Sequence, residues 1–207
     1  LPKLALLLAL ATGSATDTVS LGRDFHVGHK GWNGLSDFKR LADDLGCPLQ
    51  VRRTLDWSSL DGQDVLLVLH PETELWESAA TAYLAAGGRM VIADDYGKSE
   101  KVLGSVGIHR ASEGWPVGVR FYRPDQSLPV ALPVRGTSLG KAASELLANH
   151  SSYFSSCLPA TYAFAPGAAL VIEANVGHGR LVAIADGSVF INNMLELPGN
   201  REFAAHL

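Results

Sequence analysis

Acidic and histidine side chains follow the two most apolar predicted strands of this chain. His70 ends the run VLLVL (65–69), and Asp94 and Asp95 follow MVIA within the stretch GGRMVIADDYG (87–97). In open α/β sheets, ligands and catalytic groups usually lie in the loops at the carboxyl ends of strands. A histidine within hydrogen-bonding reach of a carboxylate can take part in general acid–base chemistry. These three side chains are therefore the first candidates for a functional site.

Asp94 and Asp95 have three alternative roles: binding a metal, acting as an acid–base pair, or capping and bracing the loop before the next helix. Adjacent strand residues point to opposite faces, so both side chains reach one ligand only if the strand has already ended. We favour capping and bracing, because carboxylates at helix starts are commonly stabilising. His70 either meets a ligand or is hydrogen-bonded to a neighbouring loop.

Further candidates come from the other predicted strand ends. An exposed Trp32 beside Asn33 would offer a sugar ring an apolar face and a hydrogen-bonding amide; the alternative is a buried Trp32 with Asn33 capping the first helix. Asp186 follows the last predicted strand and is expected to border the same cleft. We predict no catalytic residue and one ligand-binding set: Trp32, Asn33, His70, Asp94, Asp95, Tyr96 and Asp186.

Other potential metal or redox residues give weak signals. His26 and His29 are three residues apart, but Gly28 between them favours a loop, and a zinc site would need further ligands. We predict no metal and no cofactor. Cys47 and Cys157 lie in no CxxC motif, and their spacing does not establish whether they pair.

The elements that would position these residues alternate along the first half of the chain. Apolar spacing predicts helices over 36–46 and 73–88, and buried strands over 65–69 and 89–93. This βαβ order indicates a three-layer α/β sandwich with a mainly parallel sheet. Towards the carboxyl end, we expect a helix within 140–150, an antiparallel hairpin around Gly177-His178-Gly179, and a helix after Asn192.

Composition limits the class of protein. The 207 residues are 47% hydrophobic and 18% charged, with a formal net charge of −4. These values predict one globular domain and exclude a disordered or coiled-coil chain. Without a basic patch, nucleic acid is not expected as a partner.

The first residues suggest export. Lys3 precedes an apolar run, Leu4–Ala11, which is followed by small residues, the layout of a secretory signal or the end of a membrane anchor. The alternative is a buried helix or strand of the domain. We predict a signal or truncated anchor over 1–19, a single domain over 20–207, and an extracytoplasmic location, either secreted or membrane-anchored.

Four blocks in their order, at 31–36, 64–71, 83–97 and 177–193, resemble an uncharacterised bacterial family of domains of unknown function, the DUF4350 type. That family looks related to the glutamine-amidotransferase-like, flavodoxin-like fold and to the sugar-binding-like domain of gliding and intraflagellar transport proteins. The resemblance implies a membrane-tethered protein outside the cytoplasm, working beside a MoxR-type ATPase and von Willebrand-like partners in assembly or maturation.

The resemblance to amidotransferases does not extend to their nucleophile. At the position of the nucleophile elbow stands Asp94-Asp95-Tyr96-Gly97, without Cys, Ser or Thr. We therefore expect a non-catalytic ligand-binding or scaffolding domain, with a small polar ligand or a glycan as the bound molecule. The alternative is a hydrolase acting on a glycosyl or amide bond through Asp94 or Asp95 with His70. A third possibility is a purely structural module of an ATPase complex.

Overall fold

The protein is built on a mixed β-sheet flanked by short helices. The computed structural model describes residues 4–8, 24–52, 55–60, 62–111, 114–123, 128–149 and 151–207, with residues 4–8 described by their backbone. The strands are β1 (Leu4–Leu8), β2 (Leu49–Arg52), β3 (Val65–Leu69), β4 (Arg89–Ala93), β5 (Ile108–Ala111), β6 (Arg120–Phe121), β7 (Pro129–Pro133), β8 (Leu146–Leu147), β9 (Tyr153–Ser156), β10 (Ala160–Ala165), β11 (Ala168–Val176) and β12 (Gly179–Ile184). The helices are α1 (Ser36–Asp44), α2 (Glu77–Ala85), α3 (Glu100–Ser105), α4 (Asn192–Leu195) and α5 (Asn200–Ala204).

The prediction of a mainly parallel three-layer sandwich of flavodoxin or amidotransferase type is wrong. The main sheet order is β2-β1-β3-β4-β12-β11-β10-β7-β6. Neighbours from β2 to β12 run parallel, in four pairs. Seven other pairs in the described part of the chain are antiparallel. β9, β10, β11 and β12 follow one another through connections of only two or three residues, too short for the crossover that parallel neighbours need.

The parallel half of the sheet agrees with the sequence pattern. β3 and β4 are continuous apolar runs, and residues 66–69 and 90–93 are buried, as expected for strands covered on both faces. The predicted helices over 36–46 and 73–88 are confirmed as α1 and α2. The predicted carboxyl-terminal hairpin is confirmed as β11 and β12, which pair antiparallel across Gly177 and His178.

The apolar segment near the amino terminus has a place in the sheet. β1 pairs in parallel with both β2 and β3. For these five residues, the structure agrees with the alternative that the segment is a strand of the domain. The fold gives no support to the predicted signal or anchor. No helix in the described part of the chain is long and apolar enough to cross a membrane.

Two other predicted elements differ from the structure. Of the predicted helix within 140–150, residues 140–149 contain the end of a short 3₁₀ turn and β8 instead; residue 150 lies outside the described residues. The buried Asn200 side chain bonds both backbone groups of Leu147, so tertiary contacts override the local helical pattern. The single helix expected after Asn192 is divided into α4 and α5 at Gly199, which has φ +83°.

The two cysteines, whose pairing the sequence left open, do not form a disulfide. Cys47 and Cys157 are both free thiols.

Candidate functional site

The loops that follow β3 and β4 are joined by backbone hydrogen bonds. The His70 amide donates to the Ala93 carbonyl at 2.9 Å, and the Lys98 amide donates to the Pro71 carbonyl at 2.7 Å. His70 has φ +41°, a strained conformation for a residue with a side chain. Such strain persists when surrounding contacts hold it, and it is found preferentially at functional sites.

His70 and Asp95 form the partly exposed polar pair of this site. His70 Nδ1 lies 2.9 Å from Asp95 Oδ1, and the two side chains are 33% and 17% exposed. The hydrogen bond with Asp95 raises the pKa of His70, against the opposing effect of partial burial. Burial raises the pKa of Asp95, but the hydrogen bonds from His70 and the Tyr96 amide outweigh it, so the net shift is downwards. Both shifts favour a protonated imidazole beside an ionised carboxylate.

Asp94 is a structural anchor. Its side chain is fully buried, and Oδ1 accepts from the Gly97 amide at 2.6 Å. Oδ2 accepts from Arg110 at 2.6 Å and from the amide and hydroxyl of Ser99. A Cβ at position 97 would lie 2.5 Å from Asp94 Oδ1, so this turn requires glycine. These bonds brace the loop before α3, whose amino-terminal cap position is Ser99.

Asp186 is a second buried anchor, which holds the loop after β12. It is fully buried, with Oδ1 accepting from the Ser188 amide at 2.7 Å and Oδ2 from the Asn149 amide at 2.6 Å. The pKa of Asp186 is raised to about 7, mainly by burial and also by the negative charge of Asp95, while the hydrogen bonds from Ser188 and Asn149 act in the opposite direction. Asp186 is therefore near enough to Asp95 for their charges to interact, but it has no surface to offer a ligand.

The aromatic candidates lie at the surface. Trp32 is 63% exposed and Tyr96 is 61% exposed. Asn33 donates to Asp24 and does not cap α1. The Phe25 amide donates to the Asn33 carbonyl, and the Phe25 ring stacks on His70 with 5.9 Å between ring centroids. The loop that carries Trp32 and Asn33 is thus attached to His70 through Phe25.

The structure therefore brings His70, Asp94 and Asp95 together. Tyr96 follows Asp95 directly, and Asp186 is buried within electrostatic range of Asp95. Sequence reasoning missed Phe25, Arg110 and Asn149. Arg110 comes from β5, an edge strand whose sequence carries no motif. An isolated arginine gives no signal of the buried aspartate that it pairs with.

A metal ion has limited access to this cluster. His70, Asp94 and Asp95 each offer one ligand atom, and these atoms lie within 4.8 Å of one another. Both oxygens of Asp94 already accept hydrogen bonds, so a cation would have to displace Arg110 or the loop amides. His26 accepts a hydrogen bond from Gly28 within a loop.

A cavity of about 430 Å³ opens beside Tyr96. Its lining residues are Tyr96, Glu100, Leu103, Ile108, His109 and Arg110. Glu100 and His109 are exposed, so the cavity combines an aromatic ring with acidic and imidazole groups. Its size is within the range of small-ligand sites.

Solved structures similar to this one include the mmIFT52 N-terminal domain, with a TM-score of 0.62 and 16% identity over 80% of this chain and 85% of that chain. An exo-β-1,4-mannosidase from Opitutaceae bacterium strain TAV5 has a TM-score of 0.55 and 12% identity over 99% of this chain and 35% of that chain. An α-L-fucosidase from Paenibacillus thiaminolyticus has a TM-score of 0.54 and 15% identity over 100% of this chain and 32% of that chain. The chain thus spans about a third of the length of these two glycosidases.

The comparisons confirm the predicted resemblance to an intraflagellar transport domain at the level of the fold. They give no support to the predicted relation to amidotransferases and flavodoxins. No curated protein matches the chain in sequence. The model of the DUF4350 domain, a domain of unknown function, matches residues 28–207. The chain therefore belongs to the DUF4350 family.

Proposed function

We propose that the domain binds a polar ligand, with a glycan as the preferred class, at the loops that follow β3 and β4, and that it does so without catalysis. The observation that carries this proposal is the partly exposed His70–Asp95 pair, held on a fully buried base and flanked by an exposed tyrosine. We refer to His70, Asp95 and Tyr96 as the strand-end site.

The chemistry of the strand-end site suits a sugar. Carbohydrates present apolar ring faces and many hydroxyl groups, so they are bound by aromatic rings together with hydrogen-bonding side chains. Tyr96 supplies an exposed ring, while His70 supplies a donor and Asp95 an acceptor. The cavity of about 430 Å³ beside Tyr96 adds the carboxylate of Glu100 and the imidazole of His109.

The buried anchors under the strand-end site favour binding. Asp94 and Asp186 fix the loops through hydrogen bonds to backbone amides. A site that is already ordered loses less conformational entropy when a ligand binds. The solved structures of the same fold include parts of a mannosidase and a fucosidase, which makes sugars the first ligands to test, although fold alone does not fix function.

A thermal-shift screen with glucose, mannose, galactose, N-acetylglucosamine and their disaccharides tests the proposal. A ligand that binds only the folded state raises the melting temperature, by several degrees at saturation. We expect the shift to disappear in Tyr96→Ala and to persist in Trp76→Ala. Trp76 is the matched control because it is 76% exposed and lies outside the site. A shift lost equally in both variants, or no shift with any sugar, would contradict the proposal.

Hydrolysis of a glycosyl or amide bond is the second candidate function. The 2.9 Å contact between His70 and Asp95 favours it, because a carboxylate beside an imidazole can support general acid–base catalysis. Asp94 does not fit the reacting role, since Arg110 and the loop amides occupy its oxygens. Turnover of p-nitrophenyl glycosides that is lost in Asp95→Asn would establish this alternative in place of simple binding.

We also propose that the domain works outside the cytoplasm, tethered to the membrane, in a complex with a MoxR-type ATPase. This proposal is supported by the resemblance to family members with that arrangement. Fractionation of cells that express the full-length protein, followed by cross-linking, provides the test. Recovery in the soluble cytoplasmic fraction without an ATPase partner would reject it.

A further inference from the structure

The antiparallel half of the sheet carries an apolar groove of about 600 Å³. Small side chains of β10 and β11 form its floor, among them Ala163 and Ala169, which are register partners. Phe154, Leu158 and Leu132 stand around this floor. The groove exists because alanines occupy positions where larger side chains would fill the space between these walls.

One charged group lines the groove. Arg120 of β6 is exposed, and no carboxylate in the described ranges pairs with its guanidinium. The other polar side chain in the lining is Ser156, whose hydroxyl donates to the Gly107 carbonyl at 2.7 Å and accepts from the Leu158 amide at 3.0 Å. Arg120 is therefore the group that is available to a ligand.

We propose that this groove binds a single-chain amphiphile with a carboxylate head, such as a fatty acid. The alkyl chain lies on the alanine floor, and the carboxylate pairs with Arg120. The volume is that of a small-molecule site, and a guanidinium forms strong, charge-assisted hydrogen bonds with a carboxylate. The groove shares no lining residue with the strand-end site, so this inference is independent of the proposed function.

Isothermal titration with dodecanoate, kept below its micelle concentration, tests the inference. We expect saturable binding with one molecule per chain. Dodecanol, which lacks the charge, should bind at least about 10-fold more weakly, in line with the loss of a charge-assisted hydrogen bond. No saturable binding of dodecanoate would overturn the proposal.

Two variants locate the binding. Arg120→Ala should weaken dodecanoate binding about 10-fold or more and leave dodecanol binding unchanged. Arg123→Ala is the matched control, because Arg123 is exposed, stacks on Tyr122 and does not line the groove. Ala163→Leu should fill the floor and weaken both ligands, with circular dichroism to verify the fold. Equal affinities in Arg120→Ala and Arg123→Ala would overturn the proposal. Concentration-dependent dimerisation that Ala163→Leu abolishes, without dodecanoate binding, would assign the groove to a second copy of the chain instead.

Discussion

Asp94 and Asp95 are adjacent in sequence but have different surroundings. Asp94 is fully buried and paired with Arg110, whose side chain is 10% exposed, while Asp95 is 17% exposed and pairs with His70. Both carboxylates lie near His70 because β4 ends at Ala93, so the alternation of a strand no longer separates them. The first supports the fold, and the second is available for recognition.

Neutralising these two residues should have unequal effects on stability. Asp94→Asn removes the buried charged partner of Arg110 and leaves it only the exposed Glu100; breaking a buried ion pair typically costs about 3–5 kcal/mol. Asp95→Asn removes a partly exposed interaction and should cost less than about 1 kcal/mol. Urea unfolding of both variants measures the difference. Equal losses would contradict the assignment of distinct roles.

At the scale of elements, one side chain joins the two ends of the chain. Asn192, at the start of α4, is 5% exposed, and its Oδ1 accepts from the Asp37 amide at 3.0 Å, so it caps α1 from a distance of 155 residues. Its Nδ2 donates to the carbonyls of His29 and Gly31. The loop that carries Trp32 is thus fixed by α4.

Removing this link should destabilise the fold. Asn192→Ala would remove the side-chain acceptor of the Asp37 amide and the side-chain donor to two loop carbonyls, at a cost of about 2–3 kcal/mol. Asn193→Ala is the matched control, since Asn193 is exposed, and should change stability by less than about 0.5 kcal/mol. Thermal unfolding compares them. A loss of similar size in both would reject the capping role.

The position of β1 can be tested at the same scale. β1 is paired on both sides, so a proline in it removes a sheet hydrogen bond whichever way its N–H points. Leu6→Pro should lower the free energy of unfolding by about 3 kcal/mol or more. Leu6→Ala keeps the N–H and separates the backbone effect from the loss of the side chain. Unchanged stability in Leu6→Pro would exclude β1 from the sheet.

Local patterns predicted the elements of the parallel half but not the arrangement of the rest. β3 and β4 are continuous apolar runs, and α1 has apolar residues at helical spacing, so their type follows from sequence. The pairing of the antiparallel strands depends on distant contacts such as that between Asn200 and Leu147. In the site, strand ends indicated His70 and Asp95, whereas Arg110 was found only through tertiary structure.

For the whole molecule, the pH dependence of stability should reflect Asp186. Its pKa of about 7 means that the folded state holds a proton that the unfolded chain releases near pH 4. The contribution of Asp186 to the free energy of unfolding is therefore greatest below about pH 4. It falls by up to about 4 kcal/mol as the pH rises from about 4 to 7.

The variant Asp186→Asn isolates that effect. It carries no titrating group, so the difference in unfolding free energy between the two proteins should change between pH 5 and pH 7. Urea titrations at several pH values provide the measurement. A difference that is constant over this range would show that Asp186 titrates at its ordinary pKa.

The two proposed binding sites lie on different parts of the molecule. The parallel half of the sheet ends in a polar site around His70 and Asp95, while the antiparallel half carries an apolar groove beside Arg120. The first belongs to the loops at strand ends, and the second to a sheet face with small side chains. Each can be altered without changing the other.

The most direct test of the strand-end site is chemical-shift mapping by NMR of the ¹⁵N-labelled protein, titrated with the sugar that gives the largest thermal shift. We predict perturbations at His70, at 95–97 and at 109–110, together with a changed titration of the His70 imidazole. These changes should be absent in Tyr96→Ala. Perturbations confined to the apolar groove, or spread evenly over the surface, would contradict a polar ligand site at the ends of β3 and β4.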